Sequence, residues 1–140
     1  MPKKPFSRSS LSRRQKRSLD IEIGFLEGLV QKAPDFVDAL SLLGDDYTRR
    51  GRAADGLKID LQLARLRPDD PTVFYNLACS YCLTRRYDDA VQALDHALSL
   101  GYRDFYHLAR DPHLKPLRTF PPYRKLRAKI RLLKAAGKED

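Results

Sequence analysis

L-L-G-D-D-Y at residues 42–47 and N-L-A-C-S-Y at residues 76–81 are two versions of one pattern, set 34 residues apart. Around them Leu40, Leu43, Gly44 and Tyr47 recur as Phe74, Leu77, Ala78 and Tyr81, and Gly56, Leu57, Leu63 and Leu66 recur as Ala90, Val91, Ala97 and Leu100. Stepping the other way, Leu57, Ile59, Leu63 and Pro68 lead back to Ile23, Phe25, Leu29 and Pro34, so half a unit precedes the first full one. A fixed period of this size belongs to architectures in which each repeat is one supersecondary unit that needs its neighbours to bury its apolar face.

The spacing within the period reads as two helices and a turn. Leu40, Leu43 and Tyr47, like Phe74, Leu77 and Tyr81, have the i, i+3, i+7 spacing of one helical face. Gly44, Ala78 and Ala90 put small residues where two helix axes come close. Gly51 and the pair Arg85-Arg86 fall where the first helix must stop, and Pro68 with Asp69 and Asp70 ends the second. L-D-I-E-I at 19–23 and L-K-I-D-L-Q-L at 57–63 alternate as strands would. The second helix of each pair touches two neighbours and is apolar on more than one face, which outweighs that local signal.

On these residues, over about 20–110, the chain resembles the tetratricopeptide repeat family. The resemblance implies an all-α fold: a right-handed superhelical stack of antiparallel helix pairs, with about six or seven helices. Its parts are a half repeat at 19–34, repeats at 37–70 and 71–104, and a truncated third unit from 105. Three positions depart from the pattern. Asp60 stands where the second unit has Leu94, Tyr102 replaces the closing proline, and Asp111-Pro112 cuts the third unit short.

Residues 111–122 hold four prolines and are expected to be a linker, similar to the D-P-x-L-x-x-L-R segment that follows the last repeat in many bacterial members of the family. A final helix over 123–136 places Tyr123, Leu126, Ile130 and Leu133 on one stripe, suited to covering the open end of a repeat stack. Its other faces carry Arg124, Lys125, Arg127, Lys129 and Arg131, which could bind an anionic surface such as nucleic acid or lipid headgroups.

Charge is segregated. The 140 residues include 27 Lys and Arg against 18 Asp and Glu, a net of +9. Residues 1–19 contribute +7 without an acid and residues 115–140 another +7, leaving −5 for the body between them. The acid-free stretch 1–18, with Arg13, Arg14, Lys16 and Arg17, has little to bury and is expected to be a disordered basic tail, with weak, salt-sensitive nucleic-acid contact as a second use. A targeting role for this tail stays open. No run reaches the roughly 20 apolar residues of a membrane span, and no apolar segment follows the amino-terminal charges. A cytoplasmic protein is expected.

Motifs for chemistry are weak. Cys79 and Cys82 form C-x-x-C inside a helix, where buried or groove-lining thiols are expected rather than redox or zinc chemistry. His96, His107 and His113 have no paired spacing to complete a zinc site. Asp45-Asp46, Asp69-Asp70 and Asp88-Asp89 read as caps and solvated helix edges. No phosphate loop or nucleophile elbow is present, so neither enzyme activity, nor a cofactor, nor a metal is expected.

The resemblance implies instead a binding groove lined by the first helix of each pair, taking a peptide or helix of a protein partner in an adaptor, scaffold or assembly role. Projected onto this chain, that face carries Asp38, Ser41, Asp45, Thr48 and Arg49, then Thr72, Tyr75, Asn76, Cys79 and Cys82, then Tyr106 and Arg110. The family's carboxylate clamp for chaperone tails would keep Asn76 and Arg110 but meets Ser41, Asp45 and Tyr106 elsewhere, and Asp45 would repel an acidic tail. Self-association through the ends of the stack is a further expectation.

Overall fold

The computed structural model describes residues 10–138, with side chains through residue 137. Among the described residues every regular element is helical: α1 (Arg13–Lys32), α2 (Val37–Arg50), α3 (Ala53–Leu66), α4 (Pro71–Leu83), α5 (Tyr87–Ser99), α6 (Phe105–Arg110), a 3-10 turn (Pro112–Leu114), α7 (Lys115–Arg118) and α8 (Tyr123–Lys138). Both alternating stretches, 19–23 and 57–63, lie inside helices. Short connections make consecutive helices antiparallel neighbours, and α1 packs on α2, α2 on α3, α3 on α4 and α4 on α5.

The 34-residue period is visible in side-chain geometry. At the turn between α2 and α3, Arg52 Nε donates to Asp55 Oδ2 at 2.9 Å, and its guanidinium lies 4.6 Å from the Tyr47 ring centre. One period later Arg86 Nε donates to Asp89 Oδ2 at 2.9 Å and lies 4.9 Å from the Tyr81 ring. Gly51 ends α2 with φ 86°; its counterpart after α4 is Arg85, which takes φ 61° in spite of its side chain. The close approach of α2 to α3 is also specific: a Cβ on Gly44 would stand 3.2 Å from Ile59 Cγ2. The equivalent pair in the next unit is Ala78 and Ala93, both buried, so bulk has moved from one helix to the other.

Two apolar clusters result. Ile23, Leu26, Ala39, Leu43 and Tyr47 form the one joining α1 and α2. The larger runs from Leu57 through α4 and α5 to Leu114, Leu117, Tyr123, Leu126 and Ile130. The stripe of α8 is thus packed against the body, with Leu133 partly buried beside it.

Three sequence expectations need correction. The tail does not extend to residue 18: Ser12 and Gln15 form a reciprocal capping box at 3.1 and 2.8 Å, so Arg13, Arg14, Lys16 and Arg17 belong to a folded helix. Residues 1–9 of that tail lie outside the described residues. The stretch 111–122 is no simple linker, since Leu114 and Leu117 are fully buried and Pro112 and Pro116 are accepted at the starts of a 3-10 turn and a short helix. Asp46 is not a solvated edge but is buried at 4% exposure.

Candidate binding groove

α3 packs on both α2 and α4, and residues of all three helices line a concavity of about 530 Å³. Five residues expected to share a face are brought together there: Asp38, Ser41 and Asp45 from α2, and Thr72 and Asn76 from α4. Val37, Leu42, Asp60, Leu63, Asp70 and Val73 complete the lining. None of these is basic, and four are aspartates. Leu42 is 52% exposed, so the wall offers an apolar foothold beside the carboxylates.

Three of the four carboxylates have a local reason for their place. Asp38 sits in the first turn of α2, where the helix dipole favours an acid. Asp70 is the N-cap of α4, its Oδ1 accepting from the backbone N–H of Thr72 at 2.9 Å and of Val73 at 3.4 Å, with Pro71 opening the helix. Asp60 forms the buried floor, its Oδ2 accepting from the Ser80 hydroxyl. Asp60 is therefore the departure from the repeat pattern that most changes the groove, placing a carboxylate where an apolar side chain was due. Asp70 and Asp60 were missed as lining residues because the first reads as a cap and the second as a pattern defect.

The other expected groove residues lie elsewhere. Thr48 is buried and donates to the Gly44 carbonyl at 3.1 Å. Arg49 is exposed near the end of α2, away from the lining. Tyr106 is 72% exposed on α6, with the Arg110 guanidinium 3.6 Å above its ring and Arg110 Nη1 donating to the Tyr106 carbonyl. Tyr75, Cys79 and Cys82 face the core, not the concavity. The cause is α4's position between α3, α5 and the 3-10 turn, which leaves only part of its surface for solvent.

Tyr75 and Cys79 instead meet Asp111 in a buried polar cluster. Tyr75 OH donates to Asp111 Oδ2 at 2.7 Å and the Cys79 thiol to the same oxygen at 3.6 Å, while His113 offers its backbone N–H and ring Nδ1 to Oδ1, both at 2.9 Å. Tyr102 stacks on Tyr75 with centroids 4.3 Å apart. Burial works against the Asp111 carboxylate, but the hydrogen bonds from His113 and Tyr75 outweigh it and hold its pKa down to about 2. Desolvation pushes the Cys82 thiol up to about 12, far from a reactive thiolate. Cys79 Sγ, an Asp111 oxygen and a His113 nitrogen lie within 4.8 Å of one another, a proximity the linear spacing did not reveal. The Cys79 thiol and His113 Nδ1 both point at the Asp111 carboxylate, and these contacts join α4 to the segment after α6.

The basic residues are divided. Arg13, Arg14, Lys16 and Arg17 are exposed on the first turns of α1, and Arg124, Lys125 and Arg131 on α8. Lys129 is engaged with Asp95 Oδ1 at 2.6 Å and Ser99 Oγ at 2.8 Å, tying α8 to α5. Arg127 donates to the Arg118 carbonyl at 2.9 Å. Among the described residues no helix is long and apolar enough to cross a membrane. In comparison with known proteins, no family model, no curated protein and no solved structure matches this chain.

Proposed function

We propose that this protein is a non-enzymatic interaction module, a tetratricopeptide-like stack of helix pairs with a right-handed superhelical course, whose groove between α2 and α4 holds a cationic, partly apolar segment of a partner protein. The observation that carries this reading is the lining: Asp38, Asp45, Asp60 and Asp70 with Val37, Leu42 and Val73, and no basic residue. An extended or helical peptide with Lys or Arg beside Leu-type residues meets both needs, with charge steering the encounter and apolar contact holding it. The recurrence of the Tyr-Arg-Asp turn at 34 residues supports the stack.

A fluorescent peptide alternating Lys or Arg with Leu, titrated against the full chain beside its Glu-substituted counterpart, tests this. The cationic peptide should bind, the acidic one should not, and Asp38→Asn with Asp45→Asn should weaken binding about tenfold or more. Equal binding by the double variant would sink the groove.

A second reading rests on the exposed cations of α1 and α8, which favour a polyanion such as RNA. Titration with a homopolymeric RNA at two salt concentrations should then show binding that falls steeply with salt. Loss on neutralising Arg124, Lys125 and Arg131, with the Asp38 and Asp45 variants unaffected, would favour this reading over the first.

A further inference from the structure

The outer face of α1 repeats large and small residues in a way its own packing does not use. Leu19, Ile23 and Leu26 point inward and are buried, while Ile21 and Phe25 on the other side are 67% and 69% exposed. Between and after them come Gly24 and Gly28, and a Cβ at either would have nothing within 4 Å. Glycine is unfavourable inside a helix. Among the described residues no neighbouring element requires it at either position, and the two glycines leave room on this face for the close approach of a second helix.

We infer that this face is the contact surface of a homodimer, in which α1 of one copy crosses α1 of a second copy antiparallel about a twofold axis between positions 24 and 25. In that register Ile21 stands opposite the partner's Gly28 and Phe25 opposite the partner's Gly24, so each large side chain enters the gap left by a missing one. The arrangement is self-complementary, as a twofold interface must be, and the glycines let the helix axes approach closely.

Charge selects the antiparallel sense and the second copy as occupant. The first turns of α1 carry Arg13, Arg14, Lys16 and Arg17 with no acid, whereas the far end of the helix is followed by exposed Asp35. Antiparallel pairing lays the cations of one copy alongside the negative helix end and Asp35 of the other. Parallel pairing would set cation against cation. The cost is Lys32, opposite the partner's Arg17; both are long, exposed side chains that can diverge. A helix of 20 residues is about 30 Å long, and one face of it buries on the order of 1,000 Å² in total, at the small end where reversible, weak association is expected.

Sedimentation equilibrium of the full chain over about 1–200 μM should show a monomer converting to a dimer, and Phe25→Asp should stay monomeric with an unchanged circular dichroism spectrum. The sharper arm is Gly24→Ala with Gly28→Ala. This variant should melt at a higher temperature as a monomer, because alanine favours the helix, yet dimerise about tenfold more weakly because the axes are held apart. A monomer at every concentration overturns the proposal, as does a dimer that Phe25→Asp leaves intact. If the double alanine variant melts higher and dimerises as well as the parent, the close crossing is wrong.

Discussion

Asp46 shows how an exposed-looking acid pair can hide a buried carboxyl. Asp45 and Asp46 are adjacent, but a helix turns 100° per residue, and only Asp46 faces α1, where Glu22 meets it. Burial, then the hydrogen bond and charge of Glu22, push the Asp46 pKa up to about 7. The sign follows from proton counting. Between roughly pH 4 and pH 7 the folded chain keeps a proton that the unfolded chain has lost, so stability falls as pH rises through that window and the penalty is complete above it. Asp46→Asn keeps the shape and can donate to Glu22 at every pH. Its melting temperature should match the parent near pH 4 and exceed it at pH 8 by roughly 3–6 °C. Melting curves whose difference did not change with pH would contradict this assignment.

At the element scale, the segment after α6 is held by one carboxylate. Asp111 caps the 3-10 turn, receives Tyr75 and His113, and offers its carbonyl to Arg118 Nη2 at 2.8 Å, so α4 and the C-terminal elements share it. Asp111→Ala would strand several buried donors and should cost about 3–5 kcal/mol in urea unfolding. Asp111→Asn, which preserves volume and acceptor oxygen, should cost less. Because the Asp111 pKa is depressed to about 2, its contribution is whole above about pH 4 and lost as pH falls towards 2. An alanine variant within about 0.5 kcal/mol of the parent would show that apolar packing alone seats this segment. The repeat period made Leu43, Gly44 and Tyr47 legible as one inward face, and the stripe of α8 was legible from its spacing. The groove register did not show the burial of Tyr75, whereas Cys79 and Cys82, expected as buried or groove-lining thiols, take the first of those places. Yet α4 carries few polar groups on any side, and such a helix is enclosed by neighbours. Tyr102 and Asp111, seen as departures from the pattern, were the stacking and hydrogen-bonding partners that Tyr75 required.

At the scale of the whole molecule, the two apolar clusters predict a gradient of stability. α1 has α2 as its main packing neighbour and shares the smaller cluster, whereas α4 and α5 are enclosed by neighbours on several sides and anchor the larger one. Where helices depend mainly on their adjacent neighbours, local opening should begin at the less supported ones. Amide hydrogen exchange should therefore be faster in α1 and in α8, which rests mainly on α5, and slowest in α4 and α5. Leu43→Ala, by opening a cavity in the smaller cluster at a cost of about 2–5 kcal/mol, should accelerate exchange in α1 and α2 while α4 and α5 keep most of their protection. Uniform acceleration through all helices would mean that the chain opens as one cooperative unit instead. The same measurement responds to the proposed dimer: protection along α1 should rise with protein concentration, since a second copy would supply the neighbour that its outer face lacks, while protection in α5 should not change.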